Sequence, residues 1–286
     1  MVPFDYSTAF SRNIGWLTQA EQSRLRNARI AIAGMGGVGG IHLVTLTRLG
    51  IGKFNIADFD TFDQANFNRQ AGAGMRTLGL EKVKVMAEQA RDINPDLDIR
   101  IFPEGVNNQN LDDFLSGVDL YVDGLDFFVF EAREAMYKAC ERHQIPAVIA
   151  APLGIGAAVV NILPGQMTFE QYFCLEGVTE EEKALRFLLG LSPAMLQRGY
   201  LVDRSTVDLA ARRGPSTAMA CQLCAGVAAT EALKILLQRG TVRGAPHAYQ
   251  FDAYRNKLVH TWRPGGNRNP LNRLAIAVAR RQLGLN

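Results

Sequence analysis

The sequence predicts an α/β fold in which a mostly parallel sheet carries helices on both faces. Strand-like and helix-like segments alternate through the first half of the chain, as expected when each strand is followed by a crossover helix. Five glycines between Gly34 and Gly40 separate the first apolar strand from the first helix. With 48% apolar and 21% charged residues, the chain of 286 residues has the composition of an ordinary globular protein.

The predicted elements follow one another closely up to residue 163. Strands are predicted over residues 29–33, 54–58, 97–102, 120–122, 147–150 and 159–163, and helices over 37–49, 81–93 and 130–143. The mixed polarity of residues 166–215 predicts a long crossover loop. It is followed by a helix over 216–238, two late antiparallel strands over 249–254 and 258–262, and a basic amphipathic helix over 270–283.

The glycine-rich loop is the first candidate functional feature. Gly34, Gly36 and Gly39 satisfy the pattern G-x-G-x-x-G, and Gly37 lies in the same loop. A strand before the loop and a helix after it place backbone N–H groups and the positive end of a helix where a phosphate can bind. This context is typical of a Rossmann-like nucleotide site, but the nucleotide could be a hydride carrier or a triphosphate that is cleaved, and some such loops are only tight turns.

The loop after the second strand favours a triphosphate. Asp58 ends that strand where ribose hydroxyls would lie, and a hydride-transfer enzyme requires little more. Here further polar residues follow in one short segment: Asp60, Asn66, Arg69 and Gln70. Taken alone, this segment could be a solvated turn.

Two more charged residues follow at strand ends or helix starts. Lys82 opens a predicted helix, and Asp126 follows the fourth strand, at the edge where parallel sheets present ligand groups. Arginine and lysine neutralise phosphate oxygens, and a carboxylate can hold a divalent cation. The sequence therefore predicts a polyphosphate site with a carboxylate that can hold a divalent cation.

These motifs resemble the ThiF/MoeB/HesA adenylyltransferases, bacterial relatives of the ubiquitin-activating enzymes. The resemblance rests on GMGGVGG (34–40), DFD with NFNRQ (58–70), GLEK (79–82), INP (93–95) and DGLD (123–126). Counted from Asp58, the positions 11, 24 and 68 residues further on are Arg69, Lys82 and Asp126. The family's ATP site requires these three positions.

The resemblance implies that ATP adenylates a carboxylate on a small protein, a peptide or a small molecule, and that pyrophosphate leaves. It implies that Asp126 holds Mg²⁺, that Lys82 and Arg69 bind the phosphates, that Asn66 positions the tail and that Asp58 fixes the ribose. The segment FSRN (10–13) makes Arg12 a candidate arginine finger, which in the family enters the neighbouring subunit's site. A homodimer is therefore expected.

The resemblance also implies a single adenylation domain over residues 1–286. Its parts are an N-terminal helical arm (1–28), a nucleotide-binding core (29–165), the crossover (166–215) and a C-terminal helix, strands and helix (216–286). Many relatives capture the acyl group on a crossover cysteine, but that position is close to Ala211 here. Cys174 is the alternative thiol, or an incidental one.

Zinc is not expected, because relatives use two C-x-x-C pairs and this chain has only Cys221 and Cys224, which are predicted to be core residues. Phe127 stands where relatives commonly have asparagine. With Phe128, it is expected either to line the mouth of the site or to pack beneath the next helix.

Three alternatives stay open: a non-catalytic partner subunit, an NAD-dependent oxidoreductase, and activation of an RNA-linked carboxylate. A net charge of +3 does not indicate nucleic-acid binding. The longest apolar run, over residues 145–153, is shorter than the ~20 residues that span a bilayer, so a cytoplasmic protein without membrane contact is expected.

Overall fold

The computed structural model describes residues 3–208 and 211–282. One sheet of eight strands has the order β3-β2-β1-β4-β5-β6-β7-β8. The strands are β1 (Arg29–Ala33), β2 (Lys53–Ala57), β3 (Asp98–Phe102), β4 (Leu120–Asp123), β5 (Ala147–Pro152), β6 (Gly156–Ile162), β7 (His247–Asp252) and β8 (Lys257–Trp262). Neighbouring strands from β3 to β5 are parallel, and those from β5 to β8 are antiparallel, which confirms the predicted fold class.

Ten helices surround this sheet in the part of the chain that the structure describes. They are α1 (Tyr6–Ala9), α2 (Gln19–Asn27), α3 (Gly39–Arg48), α4 (Lys82–Ile93), α5 (Leu111–Phe114), α6 (Phe130–Arg142), α7 (Phe169–Phe173), α8 (Glu180–Leu191), α9 (Ala218–Leu237) and α10 (Pro270–Gln282). Leu283, the predicted last residue of the C-terminal helix, lies outside the described residues.

The helices form two layers because strand residues alternate between the two faces of the sheet. Ile30 and Ile32 of β1 pack in a core with α2, α3, α4 and α9. Ala31 and Ala33 face the opposite core, which includes α5, α6, α7 and α8. Both faces of β1 are therefore covered, as is usual for a central parallel strand.

The crossover differs from the predicted loop because it forms two helices, α7 and α8. Both have N-terminal caps, in which the hydroxyls of Thr168 and Thr179 accept backbone hydrogen bonds. The side chains of Phe169, Phe173 and Phe187 are buried in the core beside α6. The mixed polarity of this segment therefore reflects amphipathic helices with one buried face.

The N-terminal arm is anchored at the end of α3 that lies away from the glycine loop. Asn13 Nδ2 and Gln22 Nε2 both donate to the Leu49 carbonyl oxygen at 3.1 Å, and the Tyr6 hydroxyl donates to the Gly50 carbonyl. Arg12 lies in a 3-10 turn of this arm and is exposed.

α9 is long and apolar enough to cross a membrane by length and composition alone, with a mean hydropathy of 1.4 over the best window. Core helices pass the same test. α9 packs along β5, β6 and α3, and Cys221, Cys224 and Ala232 are buried there. This packing is that of a core helix.

His42 on α3 makes stability depend on pH. Both ring nitrogens are buried, and neither has a hydrogen-bond partner in the described part of the chain; burial lowers the pKa of His42 from 6.5 to about 3. The unfolded chain therefore binds a proton below pH 6.5 that the folded chain excludes. Stability is complete above pH 6.5 and should fall by about 1.4 kcal/mol per pH unit as the pH drops toward 3.

His42→Leu should remove this dependence, so that the variant loses about 2 kcal/mol less than the wild type between pH 7 and pH 5. Urea unfolding at the two pH values measures the difference. The exposed His143 offers a control, since His143→Gln should keep the wild-type dependence on His42. Equal losses in the wild type and His42→Leu would contradict the account.

Candidate nucleotide-binding site

The candidate site lies at the carboxyl end of the sheet between β1 and β4. The chain proceeds from β1 to β2 and β3 on one side of the sheet, and from β4 to β5 on the other. This switch point leaves a crevice outside the strand ends, which is where doubly wound sheets bind ligands. The loops after β1, β2 and β4 border the crevice.

Gly34 and Gly39 of the glycine loop have no room for a side chain, whereas Gly36 has room for one. A Cβ on Gly34, whose φ is +88°, would lie 2.2 Å from the Gly124 carbonyl oxygen, and a Cβ on Gly39 would lie 1.7 Å from the Gly34 carbonyl oxygen. At Gly36, the one atom of the described residues that a Cβ would meet within 4 Å is Gln70 Nε2, at 3.8 Å. The open backbone at Gly36 forms a cradle that suits a phosphate group.

Asp58 joins the end of β2 to the glycine loop. One carboxylate oxygen accepts the Met35 N–H at 2.6 Å, and the other accepts the Asp60 N–H at 2.7 Å. Burial raises the pKa of Asp58, and these two hydrogen bonds oppose the rise. Lys82 is 6% exposed, and its Nζ lies 3.0 Å from Asp60 Oδ2. The structure thus brings both aspartates and the lysine together.

Arg69 and Gln70 lie on the other side of the cradle. A Cβ on Gly37 would lie 3.5 Å from Arg69 Nε and 3.3 Å from Cys221 Sγ, so both side chains rest against this glycine. Gln70 is buried, and its Oε1 has no hydrogen-bond partner among the described residues. A buried polar atom without a partner is uncommon and is a place for a ligand donor.

The Asn66 side chain caps the turn in which it lies. Its side-chain oxygen accepts the Asp63 N–H at 3.0 Å, and the Asp63 carboxylate accepts the Ala65 N–H at 2.9 Å. This reciprocal cap shapes the turn that carries Arg69. The contact of Asn66 with the phosphate tail stays a prediction.

Asp126 follows β4 in an exposed position, two residues after the Gly124 that contacts Gly34. Within residues 3–208 and 211–282, no group of three or more His, Cys, Asp or Glu side chains is placed to hold a metal ion. Mg²⁺ that arrives with a nucleotide needs only one or two protein carboxylates, because phosphates and water complete its shell. Asp126 suits an ion of that kind.

Phe127 packs under the adjacent helices. Its ring lies 5.2 Å from that of Phe187 on α8 and 6.2 Å from that of Phe130 on α6, measured between centroids. Of the two interpretations of this residue, the structure favours packing.

Cys174 ends α7 with a φ of +54° and is 6% exposed. Its Sγ lies 3.6 Å from the Gln171 carbonyl oxygen, and its own carbonyl accepts a hydrogen bond from Arg186. Among residues 3–208 and 211–282, the contact of the Cys174 residue with a cation is made by its carbonyl, and the thiol itself is hydrogen-bonded to neither a cation nor a histidine that would activate it. A role in acyl capture stays a prediction without geometric support.

The sequence interpretation missed a buried pair beneath the Asp126 loop. Arg133 on α6 and Asp123 at the end of β4 form a salt bridge of 2.9 Å, and both side chains are 2% exposed. The signal was present, because Phe130, Arg133 and Tyr137 share one face of the helix and only one of them is charged. A charge on an apolar stripe needs a buried partner.

The sequence profile of the ThiF family matches residues 10–274. The chain belongs to the ThiF family. The tRNA threonylcarbamoyladenosine dehydratase of Haemophilus influenzae is 34% identical over 133 residues, which are 46% of this chain and 50% of that protein. Protein HesA of Nostoc is 24% identical over 219 residues, 68% of this chain and 84% of HesA. The chain spans about half the length of the matched dehydratases.

Solved structures of the family share this fold. E. coli MccB with ATP aligns with a TM-score of 0.66 at 20% identity, over 94% of this chain and 75% of MccB. The E. coli tRNA N6-threonylcarbamoyladenosine dehydratase, TcdA, aligns with a TM-score of 0.59 at 22% identity, over 81% of this chain and 95% of TcdA. At these identities the likeness concerns the fold alone.

The two kinds of loop glycine should respond differently to alanine in this ThiF-family chain. Gly39→Ala forces a Cβ into a backbone oxygen and should destabilise folding by about 3 kcal/mol or more. Gly36→Ala meets no such obstacle, so it should fold normally and lose nucleotide affinity. Thermal unfolding with and without MgATP measures both effects. Equal destabilisation by the two changes would contradict this division.

Proposed function

We propose that this chain is an ATP-dependent adenylyltransferase that activates a carboxylate and releases pyrophosphate. The proposal is supported by one arrangement around the glycine loop: Arg69 lies against Gly37, Lys82 pairs with Asp60, and Asp126 follows the Gly124 that approaches Gly34. A hydride carrier would have no use for two cations and an exposed carboxylate at this point.

The chemistry follows from charge. The substrate carboxylate attacks the α-phosphate, both reactants are anions, and pyrophosphate leaves with more charge than it had as part of ATP. Lys82 and Arg69 would bind phosphate oxygens and stabilise charge that develops in the transition state. Asp58 would accept ribose hydroxyls, and Gln70 Oε1 would accept a nucleotide N–H or O–H.

Mg²⁺ held by Asp126 would neutralise phosphate charge when bound with ATP. No side chain of this chain needs to act as a nucleophile. The acyl-adenylate would be released or passed on without an enzyme thioester, because Cys174 is buried and its thiol contacts a backbone carbonyl oxygen.

We propose a homodimer in which Arg12 enters the partner's site. The arm that carries Arg12 is anchored at Leu49, while the glycine loop precedes Gly39 at the other end of α3. The 10 residues of this helix span about 15 Å, which exceeds the reach of an arginine side chain. Trp16 on the same arm is 85% exposed and would be covered by a second subunit.

The proposed substrate is a carboxylate on a small protein, a peptide or a small-molecule acid, in the cytoplasm. The similar MccB was crystallised with MccA, and the similar dehydratases are named for a tRNA nucleoside. An RNA-linked carboxylate is therefore the second candidate acceptor.

Two measurements test the proposal. Thermal unfolding should show stabilisation by MgATP and none by NAD, since a ligand that binds the folded state raises its stability. ATP–pyrophosphate exchange, screened with candidate carboxylates, should proceed in the wild type and fail in Asp126→Ala. Stabilisation by NAD alone would favour an oxidoreductase. ATP binding without exchange for any carboxylate would favour a non-catalytic partner subunit.

A further inference from the structure

The guanidinium of Arg133 is hydrogen-bonded in full beneath the loop that carries Asp126. Its Nε donates to Asp123 Oδ2 at 2.9 Å. Its two terminal nitrogens donate to four backbone carbonyls: those of Leu125 and Asp126 at 2.9 Å, Phe127 at 3.2 Å and Val129 at 3.3 Å. One buried cation thus binds four of the six backbone carbonyls between β4 and α6.

The charge of Arg133 is compensated where it lies. Burial disfavours the charged guanidinium, but the adjacent Asp123 carboxylate outweighs burial and raises the pKa of Arg133. Asp123 also accepts the Leu125 N–H at 3.0 Å and the Tyr137 hydroxyl at 3.3 Å. The ring of Phe187 lies 4.7 Å from the guanidinium carbon. A satisfied buried network of this kind fixes a single conformation.

The network has a direct consequence for Asp126. Its backbone carbonyl is turned inward to Arg133, whereas its carboxylate is exposed and accepts the Phe128 N–H at 3.1 Å. The other three carbonyls, of Leu125, Phe127 and Val129, also accept hydrogen bonds from the buried Arg133. We propose that Arg133 is a positioning residue that holds Asp126 in place for the magnesium ion of MgATP. This inference rests on the proposed function.

Arg133→Lys tests the inference because lysine keeps the charge but cannot span Asp123 and four carbonyls. Isothermal titration gives the ATP dissociation constant in EDTA and in MgCl₂, and the constant in EDTA divided by the constant in MgCl₂ reports how strongly magnesium supports ATP binding. In Arg133→Lys this ratio should fall about tenfold, as outer-shell changes do at metal sites, while the constant in EDTA stays unchanged. The exposed Arg142 on the same helix provides the matched control Arg142→Lys.

Asp126→Ala should abolish the effect of magnesium on ATP affinity. The double variant Arg133→Lys/Asp126→Ala should have the same ratio as Asp126→Ala, because both changes act on one contact. If Arg133→Lys does not fold, Tyr137→Phe removes only one hydroxyl from the network and should lower the ratio in the same direction. An unchanged ratio in that variant would contradict the inference.

Two outcomes overturn the inference alone. In the first, Arg133→Lys keeps the wild-type ratio while Asp126→Ala removes the effect of magnesium. In the second, Arg133→Lys weakens ATP binding equally in MgCl₂ and in EDTA, which is the result expected of a merely structural role. An Asp126→Ala variant with the wild-type ratio would instead overturn the proposed magnesium site, and the inference with it.

Discussion

Arg12→Ala should reduce ATP–pyrophosphate exchange by about 10³-fold or more, because an inserted arginine stabilises charge in the transition state of phosphoryl chemistry. Arg12 is exposed on an arm anchored away from its own glycine loop, so folding and the rest of the site should stay intact. Exchange rates of the purified variant measure the loss, and thermal unfolding checks its stability.

Mixing two inactive variants tests whether Arg12 acts on the partner. In a dimer of Arg12→Ala with Asp126→Ala, the first subunit keeps Asp126 and receives Arg12 from the second, so one site in two is complete. Random association places half of the molecules in such dimers, and about one quarter of wild-type activity should return. No recovery after mixing would show that Arg12 acts within its own subunit or not at all.

Lys82→Ala should lower exchange by about 10²- to 10³-fold, the range observed when a fixed group that stabilises developing charge is removed. Lys82 is 6% exposed and opens α4 beside the glycine loop. The measurement is the exchange rate at saturating ATP, with ATP affinity determined separately.

Lys84→Ala is the matched control for Lys82, since Lys84 lies on the same helix and pairs with Glu81 at the surface. Exposed pairs contribute little, so this variant should keep wild-type exchange. Comparable losses of exchange activity in Lys82→Ala and Lys84→Ala would mean that Lys82→Ala acts through the stability of α4. An active Lys82→Ala protein would remove the lysine from the proposed mechanism.

The sequence predicted the parallel part of the fold because apolar runs and glycine punctuation mark each strand and helix there. β1 and α9 were placed to within two residues at each end. The crossover was harder, since α7 and α8 carry only one buried face and their packing partners lie far along the chain. Phe169, for example, stacks on Tyr137 at a centroid distance of 4.2 Å. Such long-range contacts leave no local pattern.

Motif spacing predicted which loops and which helix start carry the candidate residues, but it did not predict the partners of those residues in this structure. That Lys82 pairs with Asp60, and that Asn66 caps its own turn, depends on side-chain geometry that spacing does not encode. Arg133 was missed because the single charge on the apolar face of α6 was not connected with Asp123, and its other partners are backbone carbonyls, which have no sequence signature. The family profile confirms the resemblance, and the assigned roles stay predictions.

The contact between Lys82 Nζ and Asp60 Oδ2 has a consequence for turnover. The side chain of Asp60 is 54% exposed, so a polyphosphate can displace its carboxylate from the Lys82 ammonium at a small cost in free energy. On the proposed mechanism, the Asp60 carboxylate would return to the ammonium when pyrophosphate departs and would act as an internal counter-ion. Lys82 would then hold the leaving product less strongly and would be ready for the next nucleotide.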